Sequence, residues 1–321
     1  MKGASMNPIN GLFKMLYWPA CRAYSRHLGD RPADALLRFL CSAYYWRVYR
    51  FWPDFVQPRR FTEKVWSRML HERDPLFTLI SDKFRVRDYV AEKVGVEYLI
   101  AQLWSGKKPE EIPFDTLPDK YVIKTNHGCD YNIIIQDKTQ LDKKKVILQL
   151  KKWLGENFGN DMFLGIAWAY RNIKPHIIIE TFLEENGHSP VDYKFFCFSG
   201  HVEFFKIDFD RFEGHSEKFF NRDFNRLDLF EQGLKQYQGK IDLPKNITDM
   251  LRFAESLAAG FDFIRVDLYN IDDKIYFSEL TPYPGGVSAK FEPDYYDNLF
   301  GEKWKWKKKA ITLPESGRGV L

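Results

Sequence analysis

Two apolar runs, Phe263-Ile264-Arg265-Val266-Asp267-Leu268-Tyr269 and Tyr276-Phe277-Ser278-Glu279-Leu280-Thr281-Pro282, constrain the fold of this chain more than any other feature. Asn270-Ile271-Asp272-Asp273 between them is a run of turn formers, so the segment reads as an antiparallel hairpin. Folding it about Asp273 sets Asp267 almost opposite Glu279. Side chains repeat every second residue on a strand, so Arg265 and Asp267 share a face, as do Phe277, Glu279 and Thr281. The apolar flanks Phe261, Phe263, Ile264, Val266, Leu268, Ile275 and Phe277 predict a central, buried hairpin. Two carboxylates facing each other there repel unless a cation sits between them. Hard oxygen donors at that spacing suit Mg²⁺. The alternative is two acids and an arginine decorating a solvated sheet face.

The chain has 321 residues, enough for two or three subdomains sharing a large core. Its net charge of +4 is unevenly placed. Residues 1–60 carry +7 and residues 301–321 carry +4, which leaves −7 for 61–300. A basic periphery around an acidic centre argues against nucleic acid as the partner, since duplex binding needs one basic face. Cys21, Cys41, Cys129 and Cys197 are scattered, with no zinc spacing, and read as reduced thiols. No apolar run approaches the roughly 20 residues of a membrane span, and no secretory signal is evident. A cytoplasmic protein, lying at the inner face of the membrane if its ends bind lipid, is the expectation.

The pattern along the chain predicts a helix over 33–52, where Leu36, Leu40, Tyr44 and Arg47 fall on one line. Its mixture of aromatics and arginines suits a membrane surface; the alternative is a helix packed on the domain with snorkelling arginines. Helices are expected over 61–73, 82–94, 142–157 and 246–259. Strands are expected over 96–100, 121–125, 131–135, 176–183, 191–198 and 201–207, the last two joined by the hairpin turn Ser199-Gly200. Helices followed by interleaved helices and strands with long antiparallel hairpins indicate α+β subdomains around a cleft.

Lys124 and Lys194 sit inside apolar strands, where a lone ammonium is costly without an anion. Asn126-His127-Gly128-Cys129-Asp130 follows Lys124 and is suited to laying backbone N–H groups on phosphate oxygens. It matches neither a Walker A loop nor a dinucleotide fingerprint. His127 either touches phosphate or caps the turn. Cys129 reads as a small loop residue, because Asp130 beside it discourages a thiolate.

In this order the residues resemble the ATP-grasp superfamily, in particular its TupA-like branch, associated with teichuronopeptide and surface-polysaccharide synthesis. The segments that carry the resemblance are Ser81-Asp82-Lys83, Tyr121 to Gly128, Ile179-Glu180-Thr181-Phe182-Leu183, Asp192 to Phe198, Arg265 to Tyr269, and Glu279-Leu280-Thr281. The resemblance covers roughly 60–301. It implies an ATP-grasp fold: a basic aromatic helical extension (1–60), an N-terminal region (61–115), a small subdomain with phosphate loop and adenine hinge (116–185), a large subdomain with the Mg²⁺ site (186–300) and a basic tail (301–321). It implies that Lys83, Lys124, His127 and Gly128 serve the ATP phosphates, that Glu180, Thr181, Phe182 and Leu183 form the adenine hinge, and that Glu184 or Glu185 takes the ribose. Lys194 and Arg265 would be the catalytic cations at the triphosphate. Asp267 and Glu279 would ligate Mg²⁺. Thr281 stands where many ATP-grasp proteins have asparagine; its hydroxyl can ligate metal or hold a water.

The activity implied is an ATP- and Mg²⁺-dependent carboxylate–amine ligase that forms an acylphosphate. Its substrates would be a uronic-acid-type sugar or polysaccharide, free or lipid-linked, and an amino acid or amine. Arg211 and the Pro284-Gly285-Gly286 turn are the candidates for the acceptor side. A sugar kinase on the same fold, a glycosyltransferase using a nucleotide-sugar, and a basic membrane-surface scaffold are the competing readings. Both basic ends, including Trp304-Lys305-Trp306-Lys307-Lys308-Lys309, are suited to peripheral membrane contact.

Overall fold

A computed structural model describes residues 8–29, 31–161, 165–185, 187, 189–209 and 214–306. Arg211 and Lys307-Lys308-Lys309 lie outside the described residues. The chain opens with helices α1 (Pro8–Leu28), α2 (Ala35–Tyr49), α3 (Phe61–His71), α4 (Pro75–Ser81) and α5 (Val86–Val94). A four-stranded antiparallel sheet follows, built from β1 (Gln102–Gly106), β2 (Tyr121–Thr125), β3 (Asn132–Ile135) and β4 (Ile177–Thr181) in the order β1-β4-β2-β3. Helices α6 (Lys143–Leu154), α7 (Phe158–Asp161) and α8 (Trp168–Arg171) lie between β3 and β4 in sequence.

The second sheet takes strands from β5 (Asp192–Phe198), β6 (His201–Phe209), β7 (Ser216–Asn221), β9 (Lys235–Gln236), β10 (Phe263–Ile271) and β11 (Lys274–Thr281), in the order β11-β10-β5-β6-β7-β9. The short β8 (Phe230–Glu231) pairs with β12 (Phe291–Glu292). Helix α9 (Ile247–Ala258) packs on β10, β5 and β6, and α10 (Tyr295–Lys303) packs on α3. The architecture is α+β, as the sequence predicts.

The hairpin is central. Ile271 pairs with Lys274 across a two-residue turn whose Asp272 and Asp273 both have positive φ, at 51° and 60°. Short polar side chains tolerate that conformation best after glycine, and its backbone twist matches that of the flanking strands. That turn alone would pair Asp267 with Ser278; a bulge between Asp267 and Leu268 shifts the register by one and sets Asp267 opposite Glu279. One expectation fails. The same bulge leaves Ser278 unmatched, and Phe277, on the turn side of it, lies opposite Leu268. Phe277 therefore belongs to the apolar face and not to the face of Glu279.

The expected strand over 96–100 is also absent. After α5, Gly95 turns the chain with φ 117°, and Val96–Tyr98 closes as a 3₁₀ turn, with Leu99 N–H donating to the Val96 carbonyl. Tyr98 reaches the core through Phe253, with ring centroids 4.7 Å apart. Helix α4, unforeseen, had a readable start: Asp74 caps Leu76 N at 3.0 Å and Pro75 occupies the first helical position.

Each face of the large sheet has its own cover. Alternate residues Tyr193, Phe195 and Cys197 of β5 face away from Asp192, Lys194, Phe196 and Phe198. Cys197 faces α9 at Ala254. On the opposite face, Phe196, Phe198, Phe204 and Phe263 meet Phe61, Phe300 and Trp304 of α3 and the C-terminal segment. That aromatic cluster seals one end of the face. The other end carries the charges described below.

Asp297 couples α10 to α3 by accepting from Thr62 N and Thr62 Oγ1, both at 2.8 Å. Burial dominates and pushes its carboxyl up to about 6, despite the Thr62 bonds and Arg60. Because the folded value exceeds the unfolded one, the protonated acid stabilises the fold fully below about pH 4, and this contribution is lost as pH rises through about 6. Asp297→Asn should remove that dependence. The urea-unfolding gap between variant and wild type should then change by on the order of 2–3 kcal/mol in the variant's favour from pH 4 to pH 7.

Candidate active site

In the small sheet, Tyr121, Ile123 and Thr125 alternate inward, and Ile123 shares the core of Val146 and Leu150 from α6. The opposite face of β2 carries Val122 and Lys124. Lys124 Nζ lies 2.7 Å from Glu180 Oε2, and Arg87 Nη1 lies 2.8 Å from Glu180 Oε1. Burial alone would push the Lys124 ammonium down, but Glu180 outweighs it and holds the group above its ordinary value. Lys124 therefore carries a full charge. Beyond β4, Phe182 and Leu183 leave the sheet and line a cleft of 1110 Å³ together with Lys124, Thr181, Glu185, Asp192, Asp208 and Tyr269. Of the two acids suggested for a ribose, Glu184 is exposed and bound by Lys120 Nζ at 2.6 Å, whereas Glu185 lines the cleft.

The loop after β2 is held from several sides. Asn126 Nδ2 donates to Asp82 Oδ1 and to the Lys174 carbonyl at 2.8 and 3.0 Å, while its Oδ1 accepts from His176 N at 2.7 Å. Lys83 Nζ donates to the Gly128 carbonyl at 2.7 Å, so it ties down the loop. It does not line the cleft described above. A Cβ on Gly128 would stand 2.6 Å from the Tyr131 ring, which is why glycine is required there. His127 is buried, and its Nε2 is 2.9 Å from the Trp153 carbonyl. Burial pushes its pKa down, so the ring is neutral near pH 7 and anchors the loop to α6. The Cys129 thiol is pushed up to about 11, chiefly by burial.

On the large sheet, register builds two transverse rows of side chains. Glu279, Asp267, Lys194 and Lys206 stand side by side on β11, β10, β5 and β6. Tyr269, Asp192, Asp208 and Glu217 form the next row, on β10, β5, β6 and β7. Arg265 grips Asp267 in a bidentate pair, with Nε to Oδ1 and Nη2 to Oδ2 both at 2.7 Å, and reaches Thr281 Oγ1 at 3.2 Å. Lys194 Nζ contacts Asp192 closely and lies 3.3 Å from Asp267 Oδ2 and 3.5 Å from Asp208 Oδ2. Burial opposes both charges, yet the carboxylates hold Lys194 above its usual value, and Arg265 with Lys194 holds Asp267 below its own. Asp192 and Asp208 link this cluster to the cleft, since both line it and both contact Lys194.

Glu279 is different. It is half-buried, faces Asp267 and accepts no hydrogen bond from any described residue. A carboxylate left so beside a second carboxylate fits a divalent cation. Among the described residues no three His, Cys, Asp or Glu gather as a metal centre. Two carboxylates and the Thr281 hydroxyl are nonetheless the partial donor set that suits Mg²⁺ completed by phosphate oxygens. The residues present fit that group.

The structure thus gathers Lys124, Thr181, Phe182, Leu183 and Glu185 on one wall, and Lys194, Arg265, Asp267, Glu279 and Thr281 behind the other. Gly285 and Gly286 lie in a turn beyond β11, with φ of 70° and 57°. A Cβ on Gly285 would stand 2.0 Å from that of Ala289. This close approach accounts for that glycine without any ligand. Sequence reasoning passed over Arg87, Asp192, Lys206, Asp208 and Tyr269. The period-2 spacing of Asp192 with Lys194, and of Lys206 with Asp208, was the available clue: it marks two charged pairs, each on one face of an apolar strand.

No curated protein matches the sequence. Among solved structures, the chain is similar to D-alanine–D-alanine ligase from Bacillus anthracis in complex with ATP, at 15% identity over 64% of this chain and 55% of that one, with a TM-score of 0.37. The D-alanine–D-alanine ligase from Helicobacter pylori shows 15% identity over 70% and 61%, with a TM-score of 0.38. Phosphoribosylamine–glycine ligase from Thermotoga maritima shows 16% identity over 64% and 48%, with a TM-score of 0.37. The chain spans only about half to three-fifths of the length of these relatives. The sequence comparison is more specific: the model of the TupA-like ATP-grasp family matches residues 63–305. With most of its length matched, the chain belongs to the TupA-like ATP-grasp family.

Proposed function

We propose that the cleft binds ATP with Mg²⁺ and that the protein joins an amine to a carboxylate, the carboxylate belonging to a uronic-acid-type sugar of a surface polysaccharide or its precursor. The observation that carries this reading is the Asp267–Glu279 pair, with Arg265 and Lys194 beside it, set behind a cleft whose opposite wall holds a charged lysine. Phosphoryl transfer asks mainly for positioning and charge neutralisation, and these residues supply both. Asp267 and Glu279 would hold the divalent cation, which when bound neutralises phosphate charge during transfer. Lys124 would contact phosphate oxygens. Arg265, fixed by Asp267 and Thr281, would meet the transferring group. The backbone of Thr181 to Leu183 would read the adenine edge. The carboxylate would take the γ-phosphoryl as an acylphosphate, and the amine would displace phosphate to form the amide. Keeping the acylphosphate from water falls to the cleft walls.

The test is ATP turnover with a panel of uronic acids and amino acids. Orthophosphate release, together with a hydroxamate when hydroxylamine replaces the amine, is the expected result. A phosphorylated sugar with no amide would instead make the protein a kinase. Preferential thermal stabilisation by UDP-sugars over Mg·ATP would overturn the ATP assignment. Lys124→Ala should raise the KM for ATP by roughly 10- to 100-fold, the value of one charge-assisted phosphate contact. The fold should persist, because Arg87 still pairs with Glu180.

A further inference from the structure

Helix α2 has two apolar faces, and the fold uses only one. Leu37, Cys41, Tyr44, Tyr45 and Tyr49 are buried against the domain. The opposite stripe, Leu36, Phe39 and Trp46 at helical spacing, stays exposed at 49%, 59% and 49%. Trp52, 55% exposed, folds back from the following loop onto Phe39, with ring centroids 6.0 Å apart. The expected line of Leu36, Leu40, Tyr44 and Arg47 is thereby split between the two faces. Four large apolar groups on one face are more than chance exposure of single residues. The helix and the loop after it are cationic: Arg38, Arg47, Arg50 and Arg59 stand against Asp34 and Asp54, Arg60 being paired with Asp294 at 2.8 Å. Arg50 and Arg59 are exposed.

We propose that this stripe is a docking surface for an anionic lipid bilayer, with Leu36, Phe39, Trp46 and Trp52 entering the headgroup–acyl boundary and the arginines meeting lipid phosphates. A second copy of the chain fits poorly, because a self-complementary contact would bring arginine against arginine. A row of Trp, Phe and Leu flanked by arginines has the composition of an interfacial helix. No described helix is long and apolar enough to cross a membrane, so the contact is peripheral.

The test is flotation of the full chain with vesicles of mixed phosphatidylcholine and phosphatidylglycerol, against phosphatidylcholine alone, at low and high salt. Binding to the mixed vesicles, weakened by salt, is expected. The triple variant Phe39→Ser, Trp46→Ser, Trp52→Ser should lose at least about tenfold in partitioning, as burial of three large apolar groups requires. ATP turnover and melting temperature should hold, since all three side chains lie outside the core. Absence of wild-type binding, or unchanged binding by the variant, would overturn the proposal; the second result would assign anchoring to the basic tail. Concentration-dependent dimers lost in the variant, without lipid binding, would also overturn it and make the stripe a contact between copies.

Discussion

Glu279→Gln should reduce ATP turnover by about 10²–10³-fold while leaving the melting temperature within a degree or so of wild type. The carboxylate accepts no hydrogen bond from any described residue, so its neutral isostere breaks nothing in the fold. It loses the charge that the proposed cation needs and a Coulombic support of Arg265. Asp267→Asn should lose turnover as severely, but it should also destabilise the protein. Asp267 takes two bonds from Arg265 and a third from Lys194, and all three groups are substantially buried. Neutralising it leaves two buried cations short of a partner, a loss on the order of 3 kcal/mol. Turnover assays paired with urea unfolding separate the two effects. Near-normal turnover in Glu279→Gln would sink the metal assignment, whatever the stability of Asp267→Asn.

The second large effect lies one strand away. Lys206 is buried among Glu217 Oε2 and Glu231 Oε1, both at 2.8 Å, and Asp208 Oδ1 at 3.5 Å. Burial would strip its proton, yet Glu231, Asp208 and Glu217 hold it charged well above the ordinary lysine range. The same ammonium, together with His215 and Lys194, keeps Asp208 far below the usual carboxylate range against the opposing pull of burial. Lys206→Met should cost about 3–5 kcal/mol, because Glu217 and Glu231 would lose the ammonium between them and Asp208 would keep only Lys194 at 3.5 Å. The sign of the pH effect follows. Without Lys206 those acids can take up protons, so the gap to wild type should narrow as pH falls below about 5. Burial already pushes the Glu217 carboxyl up, which makes it the first to protonate. Urea midpoints at pH 7 and pH 4.5 provide the measurement, and a gap that widens on acidification would refute this account.

Much of the site was legible in the chain. Asn270 to Asp273 between two apolar runs specified a hairpin and put Asp267 close to Glu279, although the observed two-residue turn alone would pair Asp267 with Ser278 and the bulge supplies the last one-residue shift. Lys124 within an apolar strand called for an anion beside it, and Glu180 Oε2 lies 2.7 Å away. Other features were not legible. Nothing local says that β10 lies between β11 and β5, yet that order brings Lys194 beside Asp267. Nor does the helical wheel say which face of α2 the domain covers, since both are apolar.

Local sequence by itself determined the hairpin and its turn, the helix starts marked by Asp34, Asp74 and Asp142, and the glycine of the Lys124 loop. Each depends on backbone dihedrals and neighbours a few residues apart, where steric and hydrogen-bonding preferences act directly. Only the tertiary structure decided the bulge at Ser278, the Arg87–Glu180–Lys124 link and the alignment of the charged rows. These rest on contacts between segments up to about ninety residues apart. They become defined only when sheet order and packing bring opposite charges together out of water, where each requires the other.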